Sequence, residues 1–361
     1  MTKIFIRPKE VVDAPLFRRD SPPGNSFIRF ITANAVAGVT HKLPYEVAAA
    51  MWPSDRDVIE LTRAASAPAM VGQVGWAAEL VHKVVIDALA ALGPASAAAQ
   101  IIQRGLVLSF NGAGVISAPG FVAGAGNASF VAEGAPIPVR QLASTAATLN
   151  PHKLAAIAVL TRELIESSNA EAAITDALIK SAGAALDTVF FDANAESAAR
   201  PAGMRNGVTA ITPSGATDLW QAAFEDVAAL INAVAPVAGN GPYAFVGSPG
   251  RVLAMQFRFN VDVDDANTPT PLFYASTAMG NDLAVLAPSA LVAAASPTPD
   301  VETATAGTLV MDTAPGPAGT TGQEKSMFQT DSMAIKVRWP LAWALRDSRG
   351  FAWLTPNWNP G

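Results

Sequence analysis

Between Pro151 and Phe191 the chain sets two periodicities end to end, and few folds accommodate both at this length. The stretch from Pro151 to Leu160 is a lysine-bearing apolar strand, and Thr161-Arg162-Glu163-Leu164-Ile165-Glu166-Ser167-Ser168 follows as a turn. Ser168-Asn169-Ala170-Glu171 then supplies a serine cap with glutamate three residues on. From there Ile174, Leu178, Ala182, Ala185 and Val189 recur at spacings of three and four, one apolar stripe over about five turns. Asp187 and the pair Phe190-Phe191 close the helix. Glu163 and Glu166 beside Arg162 read as an ion-pair cluster at a helix start rather than as a catalytic carboxylate pair, because no histidine or metal partner accompanies them.

Upstream, Phe130-Val131-Ala132-Glu133-Gly134-Ala135-Pro136-Ile137-Pro138-Val139 carries the sharpest local constraint. Pro136 and Pro138 fix the backbone and remove two amide donors, so this segment runs at a sheet edge or projects from it. Together, the projecting segment, the strand, the Thr-Arg-Glu-Leu turn and the long helix resemble the major capsid proteins of tailed double-stranded DNA bacteriophages with the HK97 fold. The resemblance implies an α+β chain with an N-terminal arm, an extended β-hairpin loop, a peripheral domain with a long spine helix, and an axial domain. It implies 1–104 as arm and helical extension, 105–152 as extended loop with flanking strands, and 153–212 as peripheral domain with the spine. Residues 213–322 would form the axial domain and 323–361 the return strands.

The implied function is self-assembly into pentamers and hexamers of an icosahedral shell around phage DNA, bound without sequence preference. Such a chain is a virion component assembled in the bacterial cytoplasm, with portal, scaffold or decoration proteins as further partners. Glu133, Gly134, Pro136, Pro138, Arg140, Arg162 and Glu163 would contact neighbouring subunits, and Ile174, Leu178, Ala182 and Val189 would seat the spine helix. Some relatives cross-link a lysine of the extended loop to a neighbour's asparagine. Here no lysine lies between Lys83 and Lys153, and Gly134 stands near the reactive position, so the expectation is a shell without covalent links. An encapsulin-like bacterial compartment, which shares the fold but encloses protein, is the alternative.

Composition bounds the other function classes. Half of the 361 residues are hydrophobic and only 15% are charged, a thin polar covering that suits extensive subunit contact. The absence of cysteine excludes disulfides, thiolate metal sites and a cysteine nucleophile. A net charge of -6 argues against specific nucleic-acid reading. The N-terminus is interrupted by charge too early for a signal peptide, and Val84 to Ile102 reads as two soluble pieces rather than a membrane span.

Residues 1 to about 40 show no sustained periodicity and read as an arm with a turn-rich Ser21-Pro22-Pro23-Gly24-Asn25 segment. Helices are expected over Pro44 to Trp52, from a Ser54 capping box to about Ala65, and from Gly75 to Leu92. Further on, Asp218 to Val234 is helical, Tyr243 to Gly247 is a strand, and a helix follows Ser248. In the last stretch Met333, Ile335, Val337 and Trp339 alternate with Lys336 and Arg338, with Pro340 as an interruption before Leu341, Trp343 and Leu345.

An enzyme reading does not assemble from these residues. Gly112-Ala113-Gly114 and Gly124-Ala125-Gly126 each lack the third glycine of a dinucleotide fingerprint. Ser248 lacks the first glycine of a nucleophile elbow, and Pro249 removes an oxyanion-hole amide. His82 has no second ligand at Ile86, and Asp262, Asp264 and Asp265 lack the glycine and glutamate of a calcium loop. No catalytic residue, cofactor or metal site is expected.

Overall fold

The computed structural model describes residues 25–63, 85–110, 114–121, 131, 144–163, 170–259, 271–296, 299–310 and 324–358. Its architecture is two sheets, each backed by helices and sharing one core.

The first sheet is built on β12 (Ser332–Leu345), fourteen residues long. One side of β12 pairs antiparallel with β4 (His152–Thr161) over its first ten residues. The other side pairs first with β9 (Asp300–Ala304) and then with β8 (Leu291–Ala295). β8 in turn takes β1 (Leu106–Ser109) in parallel. Pro340 does not interrupt this strand. The neighbour changes from β9 at Arg338 to β8 at Leu341, so the missing amide falls at the handover between two ladders, where a proline is tolerated. Met333, Ile335, Trp339, Leu341 and Trp343 consequently keep one parity and one buried face through the proline.

Against that face lie α1 (Asn25–Thr40) and α6 (Ala170–Phe190), together with α4 (85–92) and α5 (Ala97–Arg104). The expected arm therefore gives way, from Asn25 onward, to a sixteen-residue helix. Phe27, Ile28, Ile31, Ala35 and Val39 enter the main core, while Ala33 and Ala37 pack on Val47, Ala48 and Val58. Those last three come from α2 (Pro44–Met51) and α3 (Arg56–Arg63). The cap of α3 is Asp55 rather than Ser54: its carboxylate accepts from Val58 N at 3.3 Å and pairs with Arg29 at 2.6 Å.

The second sheet has the order β13-β7-β5-β6, from Phe351–Leu354, Leu283–Leu286, Tyr243–Gly247 and Pro271–Ala275. One face carries α7 (Leu219–Ala238), capped by Asp218, and α8 (Pro249–Phe259), whose Met255 joins the cluster formed by Leu230, Val234, Phe245 and Trp358. The opposite face, through Ala244, Val246, Ala284, Leu286 and Phe351, belongs to the main core. Within 213–322, β8 and β9 belong to the first sheet, and β13, from 323–361, closes the edge of the second.

Arg251 is buried beside this cluster, with its guanidinium 5.2 Å from the Trp358 ring. Burial lowers its pKa, opposed by the charges of Asp282 and Asp226. Asp226 is also buried, accepting from Ser214 N at 2.6 Å and from Trp358 Nε1 at 2.8 Å. Two short hairpins complete the described residues: β10 (Thr308–Val310) with β11 (Glu324–Ser326), and β2 (Ile116–Phe121) with β3 (Ser144–Leu149).

Candidate assembly interfaces

The β2–β3 hairpin is rooted in the body. Ala118 and Leu149 are buried with Phe110, Val292, Ala294 and Ala342, which fixes its base on the first sheet. The ladder runs from Ile116↔Leu149 to Phe121↔Ser144. Glu133, Gly134, Pro136, Pro138 and Arg140 lie between Phe121 and Ser144 in the chain and outside the described residues.

The long helix α6 is docked by a face turned from the expected stripe. Its buried positions are Ile179, Gly183, Leu186, Asp187 and Phe190. Ala182 and Val189 are half-buried on the flank of the same core, Ala185 is exposed, and the side chains of Ile174 and Leu178 lie outside the described set. Two residues that look like gaps in an apolar stripe are its closest contacts. A Cβ at Gly183 would stand 2.7 Å from Ala95 Cβ and 2.8 Å from the Ala95 carbonyl, so only glycine lets the backbones approach this far.

Asp187, four residues on, holds three elements together. Its Oδ1 accepts from Ser96 Oγ at 2.5 Å and Ala98 N at 2.9 Å, and its Oδ2 from Ala97 N at 3.2 Å and Ser276 Oγ at 2.6 Å. Ser96 meanwhile accepts from Ala99 N at 3.1 Å. The first-turn amides of α5, which have no partner inside their own helix, are thus met by an ordinary serine cap and by a carboxylate from ninety residues downstream. The negative charge also opposes the positive end of the α5 dipole. Through Ser276, the same carboxylate reaches the loop after β6 in the second sheet.

The segment after α6 makes the second tie between the sheets. Asp192 and Arg200 form an ion pair. Burial raises the Asp192 pKa, but hydrogen bonds from Arg200 and Asn194 and the Arg200 charge outweigh it, so the carboxyl is held below its ordinary value. Gly203 lies so close that a Cβ would stand 2.1 Å from Asp192 Oδ1 and 2.2 Å from its carbonyl oxygen. Arg205 pairs with Asp282 and stacks 5.3 Å from the Trp353 ring. Beside this segment a cleft of about 260 Å³ opens between Thr148, His152, Glu196, Gly203 and Trp343. Glu196 accepts from Asn150 at 2.8 Å and contacts His152 Nε2 at 3.1 Å, and these bonds, the Asn150 one foremost, lower its pKa against the opposing effect of burial.

At the far edge of the first sheet, Arg162 and Glu163 are exposed at the end of β4. The structure pairs Arg162 with Asp331 at 4.0 Å, and its amide donates to the Asp331 carbonyl, a contact across the sheet. Glu166 lies outside the described residues. In the same turn Asp331 has φ +44° and Phe328 is 83% exposed. On the outer side of β12, Lys336 pairs with Glu302, and Arg338 with Asp300 and Glu302. Among the described residues no three His, Asp or Glu side chains are placed to hold a metal, and no helix is long and apolar enough to cross a membrane. The Asp262–Asp265 cluster is outside them.

A scan against family models matches residues 92–256 to the phage capsid family. Over that segment, a little under half of its length, the chain is similar to phage capsid proteins. The matched segment contains the β2–β3 hairpin, β4, α6 and α7. No curated protein matches the chain. Among solved structures it is similar to one from Mycobacterium phage Cain, at 15% identity and TM-score 0.47, covering 73% of this chain and 91% of that one. It is also similar to a virus-like particle from Pyrococcus furiosus, at 10% identity and TM-score 0.44, covering 76% and 98%. An empty GTA particle capsid aligns at 13% identity and TM-score 0.44, covering 71% and 89%. Likeness at this level carries no residue roles. The family matched is one of structural components of the virion.

Proposed function

We propose that this chain builds a closed icosahedral shell of pentamers and hexamers around double-stranded DNA, held by non-covalent contacts. The observation that carries this reading is the family match over residues 92–256, which takes in the β2–β3 hairpin, β4 and α6. The net charge of -6 fits DNA enclosed without a specific grip. The lack of lysine between Lys83 and Lys153 supports contacts without covalent links. Match to the phage family favours a DNA-filled shell over an encapsulin-like compartment.

Electron microscopy of the purified chain, with and without nuclease, tests the reading. Closed polyhedral particles that run as monomers on a denaturing gel are expected. A chain that stays monomeric under all assembly conditions would remove it, and a protein cargo in place of nucleic acid would move it to the compartment class.

A further inference from the structure

The outer surfaces of α7 and α8 are poorly suited to water. On α7, Leu219 is 52% exposed, Trp220 55% and Phe224 66%; on α8, Leu253 is 53% and Phe257 77% exposed. The twenty residues of α7 include two charged side chains, Glu225 and Asp226, and Asp226 is buried. A helix facing solvent over its whole length normally carries a charged outer face. From the usual areas of such side chains, the five exposed residues together present on the order of 500–600 Å² of apolar surface, divided between the two helices.

The two patches are unlike and separated. The second sheet has the order β13-β7-β5-β6; α7 packs on β13 and β7, and α8 on β5 and β6, so the helices sit over opposite edges. A surface that pairs with itself closes as a two-fold dimer, whereas two unlike surfaces on one body join copies head to tail into rings. We infer that neighbouring copies meet within a capsomer by the α7 patch of one against the α8 patch of the next, with Phe224 and Phe257 as the anchors. This rests on the capsid reading and adds which surfaces meet. The paired patches supply roughly a third of a standard interface of about 1,600 Å² total, and the hairpin contacts of the same neighbour supply area beyond it.

The absence of cysteine from all 361 residues gives a clean test. Phe224→Cys, Phe257→Cys and the double variant are assembled, treated with a short bis-maleimide, and run on a denaturing gel. Both positions are exposed, so the variants fold. The double variant is expected to give a ladder ending at pentamer and hexamer, each single variant only monomer, and a mixture of the two singles nothing beyond dimer. Dimers from one single variant would mean that like surfaces meet, and a linkage to a different virion protein would assign the patch to that protein; either overturns the inference. A double variant that stays unlinked in intact particles overturns it too, while leaving the shell reading standing. Failure of the wild-type chain to form rings or particles instead sinks the shell reading. As a second measure, Phe224→Glu is expected to fold but lose rings, and rings at wild-type yield would contradict the pairing.

Discussion

Replacing Asp187 by asparagine probes the most heavily used carboxylate described in the chain. Each carboxylate oxygen serves one α5 amide and one serine hydroxyl, Ala98 with Ser96 on Oδ1 and Ala97 with Ser276 on Oδ2. Asparagine keeps one oxygen. Whichever side receives the NH2 group, one buried backbone N–H loses its acceptor, while the serine there can rotate to accept. Stranding one buried donor costs about 1–3 kcal/mol. Losing the charge at the helix N-terminus adds up to about 1–2 kcal/mol in a buried setting. The expected loss is about 2–4 kcal/mol for Asp187→Asn, and about 3–5 kcal/mol for Asp187→Ala, which strands both amides. Urea unfolding of the unassembled chain at fixed concentration measures it, since assembly would shift the midpoint by mass action. Hydrogen exchange at Ala97 and Ala98 gives the local readout. Ser276→Ala alone should cost about 1 kcal/mol and be non-additive with Asp187→Asn. An Asp187→Asn midpoint shift equivalent to less than about 0.5 kcal/mol, the usual range for changes at inert surface positions, with unchanged exchange at both amides, would refute the reasoning.

Other outcomes follow from the same contacts. Gly203→Ala places a methyl against the Asp192 carboxylate and backbone and should cost about 1–3 kcal/mol, read as a lowered unfolding midpoint; a neutral result would mean the loop has room. Because the Asp192 pKa is lowered on folding, its contribution is complete above the ordinary aspartate value of about 3.9 and lost as pH falls through the folded value. Asp192→Asn should therefore lower stability at pH 7 and leave a shallower acid decline, and parallel wild-type and variant pH curves would count against the pair. Ile179→Asp puts a charge into the buried face of α6 and should prevent folding, judged by loss of soluble chain. Removing 122–143 while keeping β2 and β3 should leave a folded, soluble chain that makes no closed particles in the microscope, and normal particles would show that the hairpin does not reach a neighbour.

The long elements were legible because each has one buried side. The strand over 152–160, the 218–234 helix and the 243–247 strand all stand where their periodicities put them. Helix α1 was hidden for the opposite reason: it is buried on two sides, so Phe27, Ile28 and Ile31 face one core and Ala33 and Ala37 another, and no stripe emerges. Beside Ala182 and Val189, which pack on the main core, α6 buries Gly183 and Asp187, which an apolar template counts as failures. Ser96 before an alanine run, with Gly93-Pro94 upstream, carries a readable cap signal. That its second partner is Asp187 depends on a contact across ninety residues, and no local pattern encodes that. Pro340 misled for a similar reason, since its tolerance comes from a change of neighbour on one side of β12.

The closing position of β13 sets an order of events in time. Helix α7 rests on β13 and β7, and Trp358 fills the cluster beneath it, yet both Phe351–Leu354 and Trp358 come more than a hundred residues after α7 in the chain. While a ribosome is still producing the intervening residues, the β7 edge is open and α7 has only part of its seat. The surface assigned to joining copies is therefore not finished until translation has passed Trp358, so nascent chains crowded on one messenger are poor partners for one another and completed chains are good ones.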